Sequence, residues 1–156
     1  MPFLHAAVAA AHALGAAAWF GAMFYSFAVL HPRGRAFFES DRDFEDFIAF
    51  VSAGARWKVL GAFALVASTG FALLPLTAPG RDRSLWDVLV LAKVALWLIA
   101  LAVFCYTSWR LWPRRVLAGP AEVPGLQRTF RVIGATMLAL VGTSFVLGVA
   151  AHALRG

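Results

Sequence analysis

Residues 85–112 read LWDVLVLAKVALWLIALAVFCYTSWRLW, an apolar run broken by Asp87 and Lys93 before Arg110 near its close. A hydrocarbon core of about 30 Å takes roughly 20 apolar residues of helix at about 1.5 Å each, so the stretch reads as a transmembrane helix. Trp86 at one end, and Trp109 and Trp112 at the other, stand where the aromatic belts of the two interfaces are expected. Three more runs of this kind lie at about 3–30, 59–77 and 132–154, and with it they take up most of the 156 residues. The expected fold is therefore all-α: an integral membrane four-helix bundle, one transmembrane domain over residues 1–156.

The composition agrees. Hydrophobic side chains make up 62% of the chain, charged ones 14%, and the mean hydropathy is +0.76, which excludes an ordinary soluble domain. A net charge of +6 does not by itself call for nucleic acid, because the arginines flank apolar spans instead of forming a basic surface with stacking aromatics. Cys105, the only cysteine, lies within a span and can form no internal disulfide. The opening Met1-Pro2-Phe3-Leu4-His5 lacks the basic start of a signal peptide, so the first span is expected to be retained. No convincing repeat is visible.

The first span is rich in alanine and glycine, which let helix backbones approach closely in a membrane and suit a homo-oligomer or a larger membrane complex. It is expected to stop at His31-Pro32-Arg33-Gly34-Arg35. Phe44, Phe47, Ile48 and Val51 then recur at helical spacing, predicting a short amphipathic helix at the interface with Ser40 or Asp41 as its N-cap. The longest loop is expected between Pro113 and Arg128. Ten basic residues (Arg33, Arg35, Arg42, Arg56, Lys58, Arg110, Arg114, Arg115, Arg128, Arg131) share one side, against Arg81, Arg83 and Arg155 on the other. The positive-inside rule then puts both termini on the extracytoplasmic side of the cell membrane.

Ionisable residues within a span are costly and mark sites. His5, Asp87 and His152 fall about two residues from the outer ends of their spans, whereas His12 and Lys93 lie roughly 12 to 14 Å below that same interface at about 1.5 Å per residue. Asp87 also suits a helix cap. His5, His12, Trp19 and Ser26 recur every seven residues, on nearly one stripe of the first helix. If that stripe faces the bundle it lines a polar cleft open to the outside. Neutral imidazoles ligate copper or haem iron, and His5, His12 and His152 offer up to three; Lys93 suits an anionic group or a proton. Arg56, Lys58, Arg131 and His31 form a basic rim on the other side.

His12, Trp19-Phe20, Phe24-Tyr25 and His31 resemble the opening helix of two related membrane families: the CopD-type copper resistance and uptake proteins, and the HemJ-type haem-binding protoporphyrinogen oxidases. The resemblance continues through Arg56 to Ser68-Thr69-Gly70, and through Leu89-Val90-Leu91-Ala92-Lys93 to Arg110, covering about three helices. Ala9, Ala28 and Leu91 stand where the oxidase pattern has lysine, arginine and histidine. The CopD resemblance implies copper handling from the outer side, with His12, His5 and His152 as ligands. The oxidase resemblance implies a b-type haem, with His12 as axial ligand and Lys93 and Arg56 binding the cofactor. A third expectation is a non-catalytic helical subunit of a membrane complex.

Overall fold

A computed structural model describes residues 2–76 and 83–153, without the side chains of Pro2, Leu76, Arg83 and Ala153; Pro79-Gly80, which the sequence places between the second and third apolar runs, and the basic residues Arg81 and Arg155 lie outside the described residues. Every regular element described is helical. The chain runs as α1 (Pro2–Tyr25), a wide π-helical turn (Ser26–Leu30), α2 (His31–Phe37), α3 (Asp41–Val51), α4 (Ala55–Leu76), α5 (Arg83–Tyr106), a second π-helical turn (Thr107–Leu111), α6 (Trp112–Val116) and α7 (Val123–Ala153). Four helical stretches, Phe3–Phe37, Ala55–Pro75, Ser84–Val116 and Val123–His152, are long and apolar enough to cross a membrane. At most 11% of the most hydropathic window in any of them is buried, and Leu14, Phe71, Leu91 and Val146 point away from the bundle, each more than half exposed. So much outward apolar surface needs lipid as its solvent: this is a multi-pass membrane protein.

The spans are longer than their sequence implies, and proline explains why. Pro32 and Pro113 were expected to end their helices; instead each sits just beyond a π-helical turn. His31 N–H bonds Ser26 O, and Trp112 N–H bonds Thr107 O, one residue further back than in an α-helix. The widened turn accommodates the proline ring, which would otherwise press on the carbonyl four residues back. It leaves one carbonyl behind. Ser108 O has lost Trp112 N–H to Thr107, and the next residue, Pro113, has no N–H to give. Arg56 on α4 fills the gap: its Nη2 donates to Ser108 O at 2.6 Å, and its guanidinium lies 4.8 Å from the centroid of the Trp109 ring. Arg56→Leu should therefore cost about 1–3 kcal/mol by orphaning that carbonyl. In a Pro113→Ala background, where a backbone N–H is restored, the cost should shrink; a thermal-unfolding double-mutant cycle in detergent reads the coupling.

The loop expected up to Arg128 is also shorter, because α7 starts at Val123, with Pro124 in its first turn where a missing N–H does no harm. In α3 the cap is Ser40, whose hydroxyl oxygen accepts from Asp43 N–H at 3.0 Å.

The bundle is two hairpins, α1 with α4 and α5 with α7, and each first helix also faces the second helix of the other pair. Phe20 of α1 and Phe27 of the π-helical turn after it seat against Gly142 and Gly134 of α7, while Phe63 of α4 meets Trp97 and Phe104 of α5 at ring centroids 5.8 and 5.6 Å apart. This arrangement exposes a repeat. Tyr25, Ser26, Leu30, His31, Pro32 and Arg33 recur 81 residues later as Tyr106, Thr107, Leu111, Trp112, Pro113 and Arg114, and Trp57-Lys58-Val59-Leu60-Gly61-Ala62 recurs 73 residues later as Phe130-Arg131-Val132-Ile133-Gly134-Ala135. Both hairpins enter from the same end, so the repeat is a parallel one. At the offset of 81 that relates the two turns, His12 corresponds to Lys93.

At the basic end, α3 folds back on the bundle through its apolar face, with Phe44 and Ile48 buried. Glu45 accepts two hydrogen bonds from Arg115, at 2.6 and 3.0 Å, and one from Gln127 at 3.0 Å. Burial pushes the Glu45 carboxyl up, but those bonds and the Arg115 charge outweigh it and hold it below the usual carboxylate range. Arg115 is itself buried, sandwiched near Trp112 and Phe130. Arg35 and Asp41 add an exposed ion pair at 2.7 Å, which contributes little.

Candidate functional site

A cavity of about 590 Å³ opens between the two hairpins in the half of the bundle that carries the termini. Its floor is Trp19, Trp97, Ala100 and Val141. Trp19, Ala100 and Val141 belong to the buried core with Phe63 and Met137, so apolar packing closes the cavity at mid-bundle. Trp19 lies on Phe63 with centroids 4.3 Å apart, and Trp97 packs edge-on against the same phenyl ring at 5.8 Å.

His12 and Trp19 line the cavity from α1, so the middle of the seven-residue stripe faces inward, as a cleft requires. The His12 ring is held by α4. Its Nδ1 lies 3.0 Å from Thr69 Oγ1, and the single proton of that hydroxyl is already given to Leu65 O at 2.6 Å. Thr69 therefore accepts, His12 Nδ1–H donates, and the neutral ring keeps its lone pair on Nε2. Gly70 makes the approach possible: a Cβ there would stand 3.2 Å from His12 Cε1.

Lys93 occupies the corresponding position on α5 and also lies against a glycine, with its Nζ 2.9 Å from where a Cβ of Gly148 would be. The two contacts differ in stiffness. Gly70→Ala should push the imidazole off Thr69 and weaken whatever Nε2 binds by about tenfold, on the scale of one hydrogen bond of roughly 1 kcal/mol plus lost alignment. Gly148→Ala should do much less, because a lysine tip swings aside; paired ligand titrations of the two variants check the contrast.

Trp86, Lys93 and Trp97 share one face of α5, at positions seven and four apart. All three line the cavity. Among the described residues, the Nε1 atoms of Trp19, Trp86 and Trp97 are buried without a hydrogen-bond partner. Trp86, expected in an interfacial belt, is thus an interior donor. Thr69, Gly70, Trp97 and Gly148 were not read as site residues; the four- and seven-residue spacing around Lys93 was the available signal for Trp97.

The other expected residues disperse. His152 lines the same cavity, while His5 does not, although its Nε2 is buried without a partner. Among the described residues no group of three or more His, Cys, Asp or Glu side chains is arranged to hold a metal ion, so His5, His12 and His152 do not form one ligand set. Asp87 is exposed in the second turn of α5, inside the helix instead of capping it. Arg56 is committed to Ser108 at the basic end, away from the cavity. His31 is half-buried at that end, edge-on to Phe44 at 6.1 Å.

Fold and site together define a helical multi-pass membrane protein with a largely apolar cavity closed at mid-bundle and lined by His12, Lys93 and His152. No family model, curated protein or solved structure matches the chain.

Proposed function

We propose that this is a b-type haem-binding membrane oxidoreductase that holds its cofactor in the cavity between the hairpins. The observation that carries this reading is His12: one ring nitrogen fixed on Thr69, the other left as a ligand in an apolar space of about 590 Å³. That volume lies within the range of about 300–1,000 Å³ usual for organic ligands and cofactors. A copper ion needs little of it, and the three imidazoles that copper handling would draw on do not gather. The packed core of Trp19, Phe63, Ala100, Met137 and Val141 also offers an ion no polar way through, which weighs against transport across the chain.

The residues present fit haem. His12 Nε2 supplies an axial ligand, the Thr69 bond fixes its tautomer and orientation as outer partners of ligating histidines do, and Lys93 pairs with a carboxylate of the cofactor. When bound, haem supplies one-electron redox chemistry. With ten basic residues on the far side against three beside the termini, the cavity faces the extracytoplasmic side of the cell membrane. The resemblance to the CopD and HemJ types supports the same site, since His12 and Lys93 are among the residues that carry it.

A reduced-minus-oxidised absorption spectrum of the protein purified in mild detergent, with elemental analysis for iron and copper, tests the reading. Haem bands with stoichiometric iron are expected. Bound copper without a porphyrin band would replace haem with copper handling, and a colourless, metal-free protein would point to a structural subunit.

A further inference from the structure

The core that closes the cavity at mid-bundle is spanned by aromatic rings. Trp19 and Trp97, both on the cavity floor, meet Phe63 with centroids 4.3 and 5.8 Å apart. Phe63 continues to Phe104 at 5.6 Å, Phe104 to Trp109 at 6.4 Å, and Trp109 to Trp57 at 6.5 Å. Every step lies within the reach of ring–ring contact, so the series runs unbroken from the cavity to the basic end, where Trp57 is 69% exposed. Its order carries chemical meaning. Indoles give up an electron far more readily than phenyl rings, and they stand at both ends with phenylalanines only between them. The run that leaves the cavity from Phe145 through Phe20 to Phe24 has no indole. The apolar core around Phe63 gives ions no passage, but an electron needs only overlapping orbitals. At the far end the Arg56 guanidinium, 4.8 Å from the centroid of Trp109, opposes positive charge on that ring. Charge then rests on Trp57, beside water that accepts a proton.

We propose that this series carries single electrons from the basic end to the cofactor when a peroxide is reduced in the cavity. The inference rests on the haem reading and adds to it a route between the two ends of the bundle. Reducing hydrogen peroxide to two waters takes two electrons and two protons. In each of two passes Trp19 or Trp97 gives one electron to the cofactor and is refilled from Trp109 by way of Phe63 and Phe104, and Trp109 is refilled from Trp57. The Trp57 cation releases its N–H proton to water, and a soluble one-electron reductant of the ascorbate class restores the indole with one electron and one proton. The two protons that complete the waters come from solvent at the cavity mouth.

The test treats haem-loaded protein in detergent with hydrogen peroxide and a nitroso spin trap in place of the reductant, and locates the adducts by peptide mass spectrometry. Adducts are expected at Trp57, well above those at Trp112, which lies at the same end but packs on Phe130 at 6.0 Å, off the series. Trp109→Phe keeps a ring beside Arg56 and removes the oxidisable indole. In that variant the Trp57 adduct should fall to the Trp112 level and Trp19 and Trp97 should become the marked residues, with haem content and helical signal unchanged. Equal marking of Trp57 and Trp112 in the wild type, marking confined to Trp19 and Trp97, or a Trp57 adduct that survives Trp109→Phe would overturn the electron route and leave haem binding intact. Failure of the wild type to take up haem would overturn the haem reading and this inference with it.

Discussion

Replacing His12 by alanine is expected to strip the protein of haem: the absorption bands and the iron should fall to a tenth or less of the wild-type content, with the helical signal unchanged. The reasoning starts at Thr69. Its hydroxyl proton is committed to Leu65 O, so the imidazole has one defined tautomer and one available lone pair. Removing the ring deletes the only nitrogen so arranged, whereas Thr69→Val keeps the ring and deletes only its anchor. Thr69→Val should therefore retain the bands but weaken binding by about 10- to 100-fold, the usual effect of losing an outer partner of a ligating histidine. If His12→Ala kept its haem content, His152, the other imidazole on the cavity, would become the axial ligand.

The largest effect on stability is expected at the opposite end of the bundle. Glu45→Leu leaves the Arg115 guanidinium, only 6% exposed, without its carboxylate. Stranding one partner of a buried pair costs about 3–5 kcal/mol, whereas replacing both with apolar residues of similar size is close to neutral. Glu45→Leu should sharply lower the unfolding temperature and loosen residues 41–51 in hydrogen exchange, and adding Arg115→Met should recover most of the loss. Acid should act like the single substitution. The Glu45 carboxyl titrates below its usual range in the folded protein, so its contribution is complete above the ordinary carboxylate pKa and disappears as pH falls through the folded value. Protection of α3 should follow that profile, and Glu45→Gln should flatten it.

The spans were legible because lipid imposes a length and a hydropathy that few other structures share. His12 and Lys93 were legible because an ionisable group at that depth is too costly to be incidental. What escaped the sequence was governed by contacts between helices. Pro32 and Pro113 read as stops, since a proline's neighbours in sequence do not reveal that a π-helical turn will absorb its ring. Arg56 read as a cofactor residue because nothing local shows that Ser108, 52 positions away, has a carbonyl to fill. Trp97 sat one turn from Lys93, but whether it faced lipid or cavity depended on how α5 is rotated, which its nearly uniform apolar surface does not encode. The repeat hid because apolar residues interchange freely within it, leaving the signature in the turns.

That repeat bears on how such a site could arise. Two identical hairpins would face each other with two histidines or two lysines, the same group on both sides of the cavity. Joined in one chain, the halves are released from sameness. Both keep the proline-bearing turn that shapes the helix, while at one position, 81 residues apart, one half carries the imidazole of His12 and the other the ammonium of Lys93. The site is a division of labour between two copies of one plan.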